Sequence, residues 1–411
     1  TTFAAAIKRD CRMIGGVMKG SVMQTTSNNS ILVDFYSATN LGDDLLLHAL
    51  LKRYPNTQFI MLASREERIL EMQYDNLKVI ELGTSDCRRL GAIGRFARAR
   101  RLLRERETVL SKQKCLVVIG GSIFIQPSAS TIRGLISSVC AVKDRARLYG
   151  ASMNTFILGA NFGPYRSNRF LKGFHDIFSR CNDVCFRDQK SSGLFSDLKN
   201  VRFAPDILFA TPFLDGPKQK QALLSVIDLK TKGQTESLAS YASAYETWIA
   251  NASHWFAKNG YRVVVSSFCK AEGDENAVER VAEKVNQLGS SIEVLLYRGD
   301  AAPVLDEISK SEVVVATRFH AMVLGLASGA KVLSVPYSKK AAYVMADIGF
   351  DRGNVLDIAS IDPADMTPCE RILESEPLCV STFAKEALRH FRALDDYLLK
   401  SPDGNHETAL S

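Results

Sequence analysis

The chain has 411 residues, 46% hydrophobic and 24% charged, and a formal net charge of +7. That is too long for one ordinary core, so two domains are expected. No run approaches the roughly 20 apolar residues of a membrane-spanning helix, and the nine cysteines lack metal-like pairing, which excludes a zinc scaffold and favours a reducing compartment. Residues 1–30 read as an N-terminal extension outside the fold.

From residue 31 short apolar runs alternate with amphipathic stretches, the pattern of parallel sheets flanked by helices. Strands are predicted at Ile31–Tyr36, Gln58–Leu62, Lys78–Glu81, Cys115–Ile119, Thr155–Gly159 and Asp183–Arg187. Helices are predicted at Asp44–Arg53, Ile132–Leu148 and Phe170–Ser179. The segment 88–106 carries Arg88, Arg89, Arg95, Arg98, Arg100, Arg101, Arg104 and Arg106 with apolar residues between them. It suits either peripheral contact with an anionic membrane or phosphorylated substrate, or a solvated outer helix. No aromatic interleaving accompanies it, so no nucleic-acid partner is expected.

Two prolines and a glycine near Thr211–Lys220 mark a linker. The domains are therefore drawn at 31–212 and 222–380, with a linker at 213–221 and a C-terminal helix and tail at 381–411 packing back on the first half. The second half restarts at Ala222–Ile227, with strands at Arg262–Ser266, Ile292–Leu296, Glu312–Ala316 and Val332–Val335. Its helices are expected at Ser237–Asn259 and Asn276–Gln287. Two Rossmann-like domains of parallel sheets facing an inter-domain cleft make a GT-B-like α/β fold the expectation.

Chemistry is expected at the carboxyl ends of the strands, where open α/β sheets bind ligands. Asn40-Leu-Gly-Asp43-Asp44 opens a helix; capping accounts for one Asp, and a carboxylate pair can also take a proton from a sugar hydroxyl. Gly120-Gly121-Ser122 lets a backbone approach a ligand but is not a P-loop, because no Gly-Lys-Ser/Thr follows. Gly159-Ala-Asn161-Phe-Gly163 lacks the dinucleotide spacing, so no NAD is expected. Arg187 can grip a carboxylate or phosphate, or pair locally with Asp188 or Asp206. Arg318 and His320, two residues apart at a strand end, are followed by Ser338 and Lys340 at the next. Arg, His and Lys together suit a small anion and can deliver a proton. The other five histidines read as structural hydrogen-bonders.

Taken in order, Asn40-Leu-Gly-Asp-Asp44, Gly120-Gly121, Gly159-x-x-x-Gly163-Pro164, Phe186-Arg187-Asp188-x-x-Ser191, Pro205-Asp206, Arg318-x-His320 and Tyr337-x-x-Lys340 resemble the polysaccharide pyruvyl transferase family. The resemblance implies transfer of pyruvate from phosphoenolpyruvate to a sugar of a cell-surface glycan such as a capsule or exopolysaccharide, forming a cyclic ketal and releasing phosphate, with no cofactor and no metal. It implies His320 as general acid, Arg187, Arg318, His320, Ser338 and Lys340 around the donor, and Asp43 or Asp44 as the acceptor's base. Asn40, Gly121, Ser122 and Asn161 would line the acceptor, which can be lipid-linked, in a cytoplasmic enzyme at the inner face of the membrane. Ser122 and Ala160-Asn161 depart from the family's usual residues and bear on the acceptor's identity. Two other readings share this architecture: a GT-B glycosyltransferase using a nucleotide sugar, and a glycan-assembly subunit that binds without turnover.

Overall fold

The computed structural model describes residues 30–35, 39–63, 73–81, 108–126, 142–149, 153–213, 216–231 and 238–399. The extension 1–29, the Arg-rich segment 88–106, residues 132–141 of the expected helix, 214–215 of the expected linker and the tail 400–411 lie outside them. The described residues fall into two compact units: 30–35, 46–204 and 389–399 form one, and 39–45 and 205–388 form the other.

The first unit is built on seven parallel strands, β1 (Ile31–Phe35), β2 (Phe59–Ala63), β3 (Leu77–Glu81), β4 (Cys115–Ile119), β5 (Asn154–Ala160), β6 (Asp183–Phe186) and β7 (Val201–Phe203), in the order 3-2-1-4-5-6-7. Every residue of β4 is buried, as a central parallel strand covered on both faces requires. The helix Asn168–Phe178 shows why its sequence is helical. Ser167 caps it by accepting from the Phe170 amide, and Phe170, Phe174, Ile177 and Phe178 recur at helical spacing on the face that it buries. Those rings join Phe124, Phe162, Phe186 and Phe195 in an aromatic core. The chain returns to this unit at its end. Asp395, on the helix Arg392–Leu399, takes both arms of Arg53 at 3.1 and 2.7 Å and the Tyr54 hydroxyl at 2.7 Å.

The second unit holds five parallel strands, β8 (Gln219–Ser225), β9 (Arg262–Ser266), β10 (Glu293–Leu295), β11 (Ser311–Ala316) and β12 (Lys331–Ser334), in the order 10-9-8-11-12. In local numbering this repeats the 3-2-1-4-5 winding of the first sheet. Its strand β8 begins three residues before the expected Ala222, inside the segment read as a linker. The reason is Gln221, a polar residue that is nonetheless buried, because its amide donates to Glu307 and Ser311 and its oxygen accepts from Arg262. Among the described residues no helix is long and apolar enough to cross a membrane.

Candidate functional site

In the second sheet the winding reverses between β8 and β11, the place where such sheets leave a crevice beyond the strand ends. Ser225, the last residue of β8, accepts from the amides of Thr317 and Arg318 at 3.0 and 3.2 Å, which fixes the chain as it leaves β11. Arg318 then turns its guanidinium onto two carboxylates. Its Nε donates to Asp274 Oδ2 at 2.9 Å, its Nη2 to Asp274 Oδ1, and its Nη1 to Glu272. Asp274 is wholly buried and also accepts from the amides of Phe268 and Cys269. Burial opposes the charge on Arg318, but Asp274, Tyr337 and Glu272 together outweigh it and hold the guanidinium above its ordinary range. The cation expected to meet a substrate is thus tied to two carboxylates of its own unit.

His320 sits in the first turn of the helix Phe319–Ala327, with its Nε2 3.9 Å from Asp206 Oδ2. Asp206 is fully buried and held in place by the Leu208 amide, which its Oδ1 caps at 2.9 Å. The other side of the ring lies against the segment 39–45. That segment is docked on the loop after β9: the Leu41 amide donates to Phe268, the Lys270 amide to Thr39, and Asn40 and Cys269 form an antiparallel bridge. A β-carbon placed on Gly42 would fall 1.5 Å from His320 Nδ1. Gly42 is therefore where the backbone makes room for the imidazole.

The two acids that follow behave differently. Asp43 accepts from the Asn40 side chain at 2.9 Å, while Asn40 Oδ1 accepts from the Gly42 amide at 3.2 Å, so both stabilise the helix start. Asp44 accepts the Tyr297 hydroxyl at 2.6 Å. Burial pushes its carboxyl up to about 7, with the Tyr297 hydrogen bond pulling it down and Asp43 adding to the rise. Asp44 therefore divides between acid and base near neutrality, as a proton-transfer group needs. Ser338 and Lys340 begin the helix Lys339–Asp347 after β12, beside the end of β11, since the Val335 amide donates to Ala316.

The first unit gathers a cluster of its own. Arg187, at the end of β6, is buried and donates to Asn161 Oδ1 at 2.8 Å; the same oxygen accepts from Ser122 at 3.1 Å. Asp188 instead caps the next helix, taking the amide and hydroxyl of Ser191. A β-carbon on Gly121 would lie 2.7 Å from Arg187 Nη1 and 2.9 Å from its Cζ. Gly121→Ala is expected to destabilise the protein by about 1–3 kcal/mol, the usual effect of overpacking a filled site. Thermal denaturation reads this directly; an unchanged midpoint would mean that Arg187 has room to move aside.

The structure thus brings Asn40, Asp43, Asp44, Arg318 and His320 into one unit, with Ser338 and Lys340 at the neighbouring strand end. It groups Gly121, Ser122, Asn161 and Arg187 in the other. Tyr297, Glu272, Asp274 and Ser225 were not read from the sequence, although Glu272-Gly-Asp274, a pair of acids astride a glycine after a strand, was a visible signal. Among the described residues no group of three or more His, Cys, Asp or Glu side chains forms a metal-binding cluster.

Comparison with solved structures finds this two-domain fold in sugar-nucleotide enzymes. A putative UDP-N-acetylglucosamine 2-epimerase of Listeria monocytogenes is 11% identical with a TM-score of 0.53, covering 93% of this chain and 100% of its own. Anabaena HepE, solved with UDP and glucose, is 13% identical with a TM-score of 0.51, covering 89% and 96%. The Methanocaldococcus jannaschii UDP-GlcNAc 2-epimerase is 9% identical with a TM-score of 0.51, covering 89% and 99%. Identities this low establish the GT-B-like fold alone. No curated protein sequence matches the chain significantly. The family model of polysaccharide pyruvyl transferases matches residues 40–339, a span that runs from Asn40 through Arg318 and His320 to the helix after β12 and takes in well over half of the chain. The chain belongs to the polysaccharide pyruvyl transferase family.

Proposed function

We propose that this protein transfers pyruvate from phosphoenolpyruvate to two hydroxyls of a sugar, on a cell-surface polysaccharide or its lipid-linked precursor, forming a cyclic ketal and releasing phosphate. The observation that carries this reading is the meeting of His320 and the Asp44 segment at Gly42. It sets a proton donor against the first turn of the helix that also carries Asp44, two residues beyond Gly42. In this chemistry His320 protonates the methylene carbon of the donor, and the cation left at the central carbon is attacked by a sugar hydroxyl whose proton passes to Asp44. A second hydroxyl displaces phosphate and closes the ketal; its proton leaves with the phosphate, and the proton on Asp44 offsets the one that His320 gave up.

The donor's carboxylate and phosphate need cations. Lys340 supplies one, at a helix start where Ser338 makes no side-chain cap and the first-turn amides favour an anion. Arg318 is reached through its Glu272 arm, since Glu272 is 23% exposed and Asp274 wholly buried. A donor anion gains Arg318 by taking the place of Glu272. Arg187, held by Asn161, is the corresponding anion grip of its own unit, where Gly121 and Ser122 would meet the acceptor. In this reading the enzyme works in the cytoplasm at the inner membrane face, for which the arginines of segment 88–106 and the scattered thiols of the sequence speak.

The test is thermal denaturation with phosphoenolpyruvate beside a panel of nucleotide sugars. A ligand bound only by the folded state at 100 times its Kd adds about 2.7 kcal/mol. A rise with phosphoenolpyruvate, followed by phosphate release when a sugar acceptor is added, is the expected result. A rise with a nucleotide sugar alone would replace this reading by glycosyl transfer.

A further inference from the structure

We propose that Tyr297 is a positioning residue of this reaction: its buried hydroxyl fixes one carboxylate oxygen of Asp44, so that the other is presented as the base for the acceptor hydroxyl. The proposal rests on the pyruvyl-transfer reading and adds to it a residue that no motif of the sequence contains.

Tyr297 follows β10 and is 1% exposed. Its own amide donates to Ser267 Oγ at 2.9 Å, and the Ser267 amide in turn donates to the Leu295 carbonyl, so the ring is anchored where β9 and β10 end. From there the hydroxyl reaches Asp44 Oδ2 at 2.6 Å, a short charge-assisted bond. Asp44 is anchored at its other side as well, through its amide to Asn40 and through Leu41 to Phe268. Its Oδ1 has no hydrogen-bond partner among the described residues, and the residue is half-buried rather than sealed. A carboxylate with one oxygen clamped and one open is pre-organised to accept a proton from one direction.

The titratable groups that bear on Asp44 are Tyr297 after β10, through its hydrogen bond, and Asp43 on its own helix. Arg298, next to Tyr297, is engaged with Glu275 and is largely exposed. The hydroxyl favours the ionised carboxylate, because a hydrogen bond donated to the charged form stabilises it. Tyr297→Phe keeps the ring and removes only that bond. Asp44 should then titrate at higher pH, and less of it should be ionised near neutrality.

The experiment follows the Asp44 carboxyl by NMR across pH in the wild type and in Tyr297→Phe, beside the pH profile of kcat/KM for phosphoenolpyruvate. Asp44→Asn serves to assign both signals. The expected result is a midpoint moved upward in Tyr297→Phe, with the acidic limb of kcat/KM moved upward equally. The rate deficit should be largest below the new midpoint, and a residual deficit should persist in alkaline solution, where Asp44 is fully ionised but no longer held. An unmoved midpoint overturns the coupling. A rate that returns fully to the wild-type value in alkaline solution overturns the positioning role and leaves the hydroxyl only a tuning of the Asp44 charge. A wild type that does not consume phosphoenolpyruvate sinks the transferase chemistry instead, and the carboxyl titration still reads the Tyr297–Asp44 coupling by itself.

Discussion

His320→Gln is expected to lower turnover by about 10²–10⁴-fold, the range of a lost general acid–base group, while the thermal midpoint stays close to that of the wild type. Glutamine fills much of the imidazole's volume and keeps a hydrogen-bonding end, but it cannot deliver a proton at neutral pH. Gly42→Ala is expected to reach a similar loss with the imidazole still present. The added methyl would stand 1.5 Å from Nδ1 and 2.2 Å from Cγ, so either the ring or the docked segment 39–45 must move. Backbone conformation is not the obstacle, because Gly42 is not among the residues at positive φ. The two variants therefore separate chemistry from placement: one removes the proton donor, the other displaces it. Steady-state rates of phosphate release measure both. Near-normal turnover in His320→Gln would remove this histidine from the reaction, and near-normal turnover in Gly42→Ala would show that its position against the segment is dispensable.

Much of the winding was legible because parallel strands buried on both faces write themselves as unbroken apolar runs. Cys115–Ile119 and Arg262–Ser266 are strands over the span expected. The failures share one cause, which is polar residues made inconspicuous by partners far along the chain. β7 has Arg202 at its centre, and that side chain is neutralised by both oxygens of Asp183 at 2.7 and 2.8 Å, a partnership that no local window contains. The early start of β8 was hidden in the same way by Gln221. For the candidate site, motif glycines were visible but not their purpose. Gly42 and Gly121 owe their identity to side chains 278 and 66 positions away, His320 and Arg187. The histidine near the C-terminus illustrates the opposite case. His390 is fully buried, accepts from the Gly159 amide at Nδ1 and faces the Ala204 carbonyl at Nε2, which fixes it as a structural hydrogen-bonder.

Asp274→Ala is expected to be the most destabilising single change in the second unit. Removing one partner of a buried ion pair leaves the other charge desolvated, typically at about 3–5 kcal/mol, and for a unit of this size that lowers the midpoint by on the order of 10 °C. Three losses coincide at this position. The side-on pairing with Nε and Nη2 of Arg318 goes, and the amides of Phe268 and Cys269 lose their acceptor. The loop that carries them also receives the segment 39–45, so its loosening would reach Gly42 and through it His320. Glu272→Gln, by contrast, leaves the Asp274 pairing intact and removes only the more exposed arm, at 23% against 0% side-chain exposure. A pair exposed to that degree contributes about 0–1 kcal/mol, so this variant should melt near the wild type. It should also bind phosphoenolpyruvate more tightly, because no internal anion then competes for Nη1. Calorimetry on the two variants decides the matter. If Glu272→Gln melts as low as Asp274→Ala, both carboxylates are structural and the donor does not enter through Arg318. If only Asp274→Ala falls, one arm of this arginine builds the loop and the other is left to the substrate.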